Sequence, residues 1–296
     1  MEIKKLPKAK FPKALLEIPQ PPENLWVMGE LPPSDMVYLA VVGSRKHTSY
    51  GRDACEKIIA GLKGYPIVIV SGFAMGIDTI AHTTAMRVGL TTMVFPGSGL
   101  SKEAIFPKTN IALMDQVIEN GGCFVSEFEP NLKAAQWTFP LRNRLMAGIS
   151  KATLIIEAEE RSGTLITARL TIEYNRDLLA VPGSIFSPNS KGTNKLIAQG
   201  AVPITCAEDV LLALGFPVEK DMEKQKKLFA DLSKEEKMVV ELLREPIPRD
   251  DLLRAMSAQG GSASGGKLSI PTAQAILSVM EIKELIKEEN GEIQLV

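Results

Sequence analysis

The sequence predicts a doubly wound α/β domain with a mostly parallel sheet, followed by a small C-terminal winged-helix domain. Five runs of β-branched and aliphatic residues, at 37–42, 67–70, 92–95, 153–156 and 178–181, each end in a glycine-bearing loop. Continuous apolar runs this short suit strands buried on both faces. Helix-period segments follow the loops, at 51–62, 77–88, 110–120, 142–149, 164–175 and 194–199. Strand–helix alternation on this scale implies parallel strands with helices on both sides. A chain of 296 residues also exceeds the usual size of one domain.

Taken in order, residues 1–35 are proline-rich, with Pro21-Pro22 and Pro32-Pro33. They are expected to wrap the outside of the domain without regular structure. The α/β domain occupies 36–217; its last helix, 207–214, stops at Gly215 with Pro217 beyond. A charged linker, 218–232, leads to the second domain, 233–296. Ser233-Lys234-Glu235-Glu236 reads as a capping box opening a helix to about residue 243. Further helices are expected at 248–256 and 271–285, each with proline near its first turn. Asn290-Gly291 between two short extended runs is a hairpin signal. Three helices and a hairpin make a winged helix. The Gly- and Ser-rich stretch 259–269 is expected to be mobile.

Composition narrows the function. Hydrophobic residues make up 45% and charged residues 23%, ordinary for a soluble protein. A net charge of −1 and a pI near 6.2 argue against a general electrostatic nucleic-acid binder, but not against a local basic groove. Residues 1–217 carry 22 Lys+Arg against 20 Asp+Glu, and residues 218–296 carry 12 against 15. An anion site is therefore expected in the first domain. No run approaches the roughly 18 apolar residues of a membrane span. The start leads to Pro7 and Pro12 rather than to an apolar core, so no signal peptide is read and a cytoplasmic location is expected. Cys55, Cys123 and Cys206 lack metal-ligand spacing; each is expected to be a reduced, small apolar residue. Neither a metal nor a cofactor is expected.

In an open α/β sheet the loops at the carboxyl ends of the strands gather in one crevice. Glycine lets backbone N–H groups approach a ligand there, and helix N-termini favour anions. Gly43-Ser44-Arg45 follows the first run, and its guanidinium suits a phosphate held bidentately, or else pairing with Asp53. Ser71-Gly72-Phe73-Ala74-Met75-Gly76-Ile77-Asp78 is no dinucleotide fingerprint, its glycines being four apart, but it fits an anion cradle. Asp78 would repel phosphate and is expected to cap the helix or brace the loop. His82 is expected to be packed or hydrogen-bonded. In Phe139-Pro140-Leu141-Arg142-Asn143-Arg144, arginines two apart do not share a helix face. One would face the crevice while the other holds the fold. Phe139, with Trp137 nearby, is either a stacking platform for a base or part of the core. Ser162-Gly163-Thr164 is a further oxygen-anion site, and Gly192-Thr193-Asn194 plays the same part after the fifth strand. Glu157 has neither nucleophile nor metal cluster beside it, so pairing with Arg142 or Arg144 is expected. No catalytic residue is assigned.

With Glu157-Ala158, Leu165-Ile166-Thr167-Ala168, Val181-Pro182-Gly183 and Asn194-x-Leu196-Ile197-x-x-Gly200-Ala201, these motifs stand in the order found in the DNA-processing protein A family (DprA, also called Smf). The chain resembles that family over about residues 10–216. The resemblance implies an extended Rossmann-like domain that binds single-stranded DNA, acts as a homodimer and loads the RecA recombinase during natural transformation. It places Arg45, Phe139 and Arg142–Arg144 in the DNA pocket. Together with the apolar residues Leu196, Ile197, Val202 and Ile204 it implies a dimer interface around 194–205.

Two other readings compete. Pro96-Gly97-Ser98-Gly99 with Glu103 is similar to the glycine loop of phosphoribohydrolases, which would make this a small-nucleotide sensor or enzyme; the match breaks at Leu100. Alternatively the winged helix binds duplex DNA, but its recognition segment, 271–280, contains no Lys or Arg.

Overall fold

Nine strands form the sheet of the first unit, Met1–Val218. They are β1 (Ile3–Lys5), β2 (Trp26–Gly29), β3 (Val37–Val42), β4 (Ile67–Ser71), β5 (Thr91–Val94), β6 (Cys123–Ser126), β7 (Ala152–Ile155), β8 (Asp177–Ala180) and β9 (Val202–Pro203). The connecting helices are α1 (Lys13–Leu16), α2 (Ser49–Gly61), α3 (Ile77–Val88), α4 (Ile111–Glu119), α5 (Thr138–Ile149), α6 (Thr164–Glu173), α7 (Lys191–Ala198) and α8 (Ala207–Ala213). The structure is a computed structural model and describes residues 2–217, 232–243, 246–259, 268–283, 285–289 and 291–295.

The strand order is β1-β2-β6-β5-β4-β3-β7-β8-β9. From β6 to β9 all neighbours are parallel, while β1 and β2 are antiparallel additions at one edge. Each strand alternates its side chains between two cores. Ala40, Val42, Val68 and Val70 face Leu145 and Met146 of α5. Leu39, Val41, Ile67 and Ile69 face Ile58 and Ile59 of α2 and Ala81 and Ala85 of α3. Burying a Val, Leu or Ile side chain of this kind is worth about 1.5–3 kcal/mol. The chain reverses its order across the sheet at β3, which pairs with β4 on one side and β7 on the other. Val42 and Ile155 end level with each other, so the loops after them open at the topological switch point, where ligands bind.

The N-terminal segment departs from expectation. It does not wrap the outside without regular structure: β2 pairs with β6 over Trp26–Gly29, and Phe11, Leu15, Ile18 and Leu25 are buried in the core beneath α5. A Cβ on Gly148 would lie 2.6 Å from Ile18 Cγ2. Proline spacing hid this, because prolines are tolerated at strand ends and between short elements without preventing either. β6 was also unforeseen: four residues behind Gly121-Gly122 leave too short an apolar run to stand out.

The second unit, Glu219–Val296, contains α9 (Lys234–Leu242), β10 (Ile247–Pro248), α10 (Arg249–Gln259), α11 (Ile270–Ile282), β11 (Ile286–Glu289) and β12 (Glu292–Leu295). Ser233 Oγ accepts from Glu236 N and Glu236 Oε2 accepts from Ser233 N, closing the capping box. The strands form an antiparallel sheet in the order β10-β12-β11. Val239, Leu252, Met256, Leu277 and Ile293 fill its core. Arg249 bridges Glu281 and Glu288 at 3.0 and 2.6 Å. Most of the linker 218–232 and of the stretch 259–269 lies outside the described residues.

Candidate functional site

A cavity of about 610 Å³ opens at the carboxyl ends of β3, β4 and β7. Its walls come from Gly43–Lys46 after β3, Ala74 and Asp78 after β4, Glu159 and Arg161–Thr164 after β7, and the first turns of α5. The first of these loops is tied down from several sides. Thr48 caps α2, accepting from Gly51 N, while its own N–H and hydroxyl donate to Glu157 at 2.9 and 2.5 Å. Thr164 Oγ1 donates to the Gly43 carbonyl, Asn189 Nδ2 to that of Lys46, and Ile77 N to that of Ser44. Gly43 and Gly76 are glycine for lack of space: a Cβ on Gly43 would come 2.7 Å from Ile77, and Gly76 adopts φ +87° against Ser44 and Arg45. The loop that carries Arg45 is therefore preorganised.

Glu157 is thus corrected. It pairs with neither Arg142 nor Arg144 but occupies the N-terminus of α2, where unsatisfied N–H groups and the helix dipole favour a carboxylate. Its carboxylate also explains Gly51, where a Cβ would collide with it.

Arg45 forms no salt bridge among the described residues, Asp53 included. Its guanidinium carbon sits 5.5 Å from the ring centroid of Phe139. Phe139 is half-buried, with Phe106 edge-on at 6.3 Å. A Cβ on Gly97 would meet the Phe139 ring at 2.5 Å. Trp137 is 55% exposed and lies edge-on to Phe128 at 5.7 Å. Neither aromatic is a core residue.

The two arginines of α5 part company. Arg142 forms the cavity floor: it donates from Nη1 to the Phe95 carbonyl and from Nε to Asn143 Oδ1. Burial pulls its pKa down to about 10 against the opposing field of Asp78, which leaves it charged at neutral pH. Asp78 accepts from Ala74 N at 3.2 Å and so braces its loop. Burial raises its pKa, and Arg142 and that N–H oppose the rise. Gly72 passes so close to both side chains that a Cβ would strike them. Arg144 does not line the cavity. It is buried against Glu127 beyond β6, and burial raises the Glu127 carboxyl against the pull of Arg144.

Gly43, Ser44, Arg45, Phe139, Arg142, Asn143, Ser162, Gly163 and Thr164 thus meet at one cavity. Ser71 lies beneath it, donating to the Val41 carbonyl. Gly192 packs against Ala158, and Asn194 holds Gly183 through two hydrogen bonds; neither residue faces the cavity. Lys46, Glu159 and Arg161 line it without having been singled out. Lys46 and Arg161 flank motifs that had been, which was the available signal. The 96–99 loop is covered by the carbonyls of Glu129 and Pro130 over Gly99, and Leu100 is fully buried, so it offers no open phosphate cradle.

Among the apolar residues of 194–205, Leu196 and Ile204 belong to the core, absorbed beneath the sheet. Val202 is exposed and Ile197 partly so. Among the described residues no group of three His, Cys, Asp or Glu could hold a metal. No described helix is long and apolar enough to cross a membrane.

His82 is fully buried: Nε2 donates to the Gly72 carbonyl at 2.7 Å, and Nδ1 lies 2.6 Å from the Thr92 hydroxyl. Burial lowers its pKa from 6.5 to about 4. The neutral ring therefore adds stability that is complete above pH 6.5 and is lost as pH falls towards 4, up to about 3 kcal/mol. Thermal unfolding between these pH values should show the loss, and His82→Gln should flatten it.

Residues 3–215 match the family model described as DNA recombination-mediator protein A. The chain is 40% identical over 206 residues to DNA processing protein DprA of Streptococcus pneumoniae, covering 70% of this chain and 72% of the relative. It is 39% identical over 206 residues to Protein Smf of Escherichia coli, covering 70% of this chain and 54% of the relative, about half its length. The X-ray structure of the S. pneumoniae protein superposes with a TM-score of 0.67 at 36% identity, covering 74% of this chain and 76% of that one. A structure of DNA processing protein A from Helicobacter pylori, described for its single-stranded DNA binding mode, gives a TM-score of 0.64 at 28% identity, with coverages of 72% and 95%.

Proposed function

The chain belongs to the DNA recombination-mediator protein A family, and from that premise we propose that its cavity binds single-stranded DNA. The observation that carries this reading is Arg45 set over the half-buried ring of Phe139, at the mouth of a cavity floored by Arg142. A cation for the backbone beside a ring for an unstacked base is how single strands are held. The cavity binds rather than catalyses: Asp78 braces a loop, Glu157 is occupied by Thr48, and His82 lies in the core. The bound strand is then handed to RecA in natural transformation. Val202, Ile197 and the exposed Leu212 of α8 supply a homodimer face, which sedimentation at micromolar concentration tests.

Single strands should bind far better than duplex or free nucleotides, with affinity falling as salt rises. Equal binding to blunt duplex would sink the reading. Arg45→Ala should cost about 1–3 kcal/mol of binding with Tm unchanged, since the side chain is exposed and carries no salt bridge. Unchanged affinity would remove Arg45 from the site.

The second unit is read as a winged helix serving a protein partner. α11 carries no Lys or Arg, and 218–296 has 12 basic against 15 acidic residues. Deleting 218–296 should leave single-strand affinity within about tenfold, roughly 1.4 kcal/mol. A larger loss from a folded truncation would assign it a share of the DNA.

A further inference from the structure

Two of the most exposed apolar side chains of the described residues stand side by side outside the cavity. Ile185 is 76% and Phe186 88% exposed, on the loop between β8 and α7. The loop carrying them is rigidly held. Gly183 N donates to Asn194 Oδ1 at 3.1 Å, and Asn194 Nδ2 returns a bond to the Gly183 carbonyl at 2.9 Å. Tyr50 OH donates to the Pro182 carbonyl at 2.5 Å. Ser187 N closes a turn on Ser184 O at 3.0 Å. Exposed apolar residues on a tied loop are presented, and cannot fold back to hide.

The surroundings say what they are presented to. The loop joins the cavity rim through Tyr50, itself 49% exposed, and through Asn189, which holds the backbone of cavity-lining Lys46 at 2.8 Å. The two segments that meet there are 43–52, with Arg45, Lys46, His47 and Arg52, and 182–195, with Lys191 and Lys195. Neither contains Asp or Glu. Of the carboxylates near the junction, Glu157 is 1% exposed and engaged by Thr48, and the exposed Glu159 shares the cavity lining with Lys46 and Arg161. Aromatic rings interleaved with an excess of cations match a single nucleic-acid strand, whose phosphates follow the charge while its bases stack on the rings. A protein partner would instead be expected to find a larger apolar patch with a rim of mixed charge.

We propose that Phe186, on the loop that Tyr50 anchors at Pro182, forms with Tyr50 a second stacking platform that takes the bases of single-stranded DNA leaving the cavity across Lys46. It rests on the reading of the cavity as a single-strand site. It makes the binding surface longer than the cavity alone and gives the strand an exit path along the α2 side.

The test uses the full chain and fluorescein-labelled oligothymidylates of about 4 and about 16 nucleotides, the short one able to fill the cavity only. Wild type should bind the long oligomer more tightly. Phe186→Ala should weaken long-oligomer binding about tenfold and leave the short one unchanged, while Phe186→Trp keeps wild-type affinity for both. Because the side chain is exposed, both variants should melt with wild type. Unchanged long-oligomer affinity in Phe186→Ala, or equal losses on both lengths, would overturn the platform while leaving the cavity reading intact. A variant that loses only self-association would overturn it in favour of an interface between copies. Failure of wild type to bind either oligomer would overturn the cavity reading and the platform together.

Discussion

Arg142→Ala should cost about 3–5 kcal/mol of stability, a fall in Tm on the order of 10 °C for a unit of this size. The guanidinium donates to the Phe95 carbonyl and to Asn143, and its removal leaves Asp78 buried with only the weaker influence of Arg45 in place of its main opposing charge. Because Arg142 also floors the cavity, single-strand affinity should fall in the protein that remains folded, measured well below the lowered Tm. Arg142→Lys should recover little, since an ammonium cannot span both acceptors as the planar fork does. A variant that keeps full stability would mean that Asp78 is satisfied without it.

Glu127→Ala should destabilise by a similar amount, about 3–5 kcal/mol, by stranding Arg144. That guanidinium is buried, and its Nε and Nη1 already lack partners, so no other group stands ready to compensate. Here DNA affinity should not change at temperatures where the variant is folded, because neither residue lines the cavity. The double variant Glu127→Leu with Arg144→Met should regain much of the loss, as apolar replacement of a buried pair often does. A Glu127→Ala protein that is stable but binds DNA poorly would place Arg144 at the strand instead. Chemical unfolding and single-strand titration on the same samples separate these outcomes.

Much of the fold was legible. The five apolar runs became β3, β4, β5, β7 and β8 within a residue of their expected ends, because a strand buried on both faces has to be apolar at every position. α3 matched its expected span, and Gly89, at φ +81°, stops it. The capping box at Ser233 and the pairing of β11 with β12 follow from local chemistry, readable within a few residues, although Asn290 itself lies outside the described residues. β1, β2 and β6 were not legible. Their pairing partners are far away in sequence, and each is too short for a periodic signal to build up.

The candidate site divides in the same way. From sequence alone, the order of glycine-bearing loops determined that Gly43–Arg45 and Ser162–Thr164 would converge, because parallel strands deliver their carboxyl ends to one edge, while the place of Phe139 and Arg142 beside them was implied by the family resemblance. Helical geometry determined that Arg142 and Arg144 would diverge, two residues being 200° around the helix. Only the tertiary structure decided which way each points. The deciding groups are the Phe95 carbonyl and Asp78 on one side and Glu127 on the other. It likewise gave Glu157 to Thr48 rather than to an arginine, and took Leu196 and Ile204 into the core rather than onto a dimer face. A buried charge goes to the partner that offsets its lost hydration, and an apolar side chain goes to the space left for it. Both depend on distances between residues far apart in the chain, which local sequence does not encode.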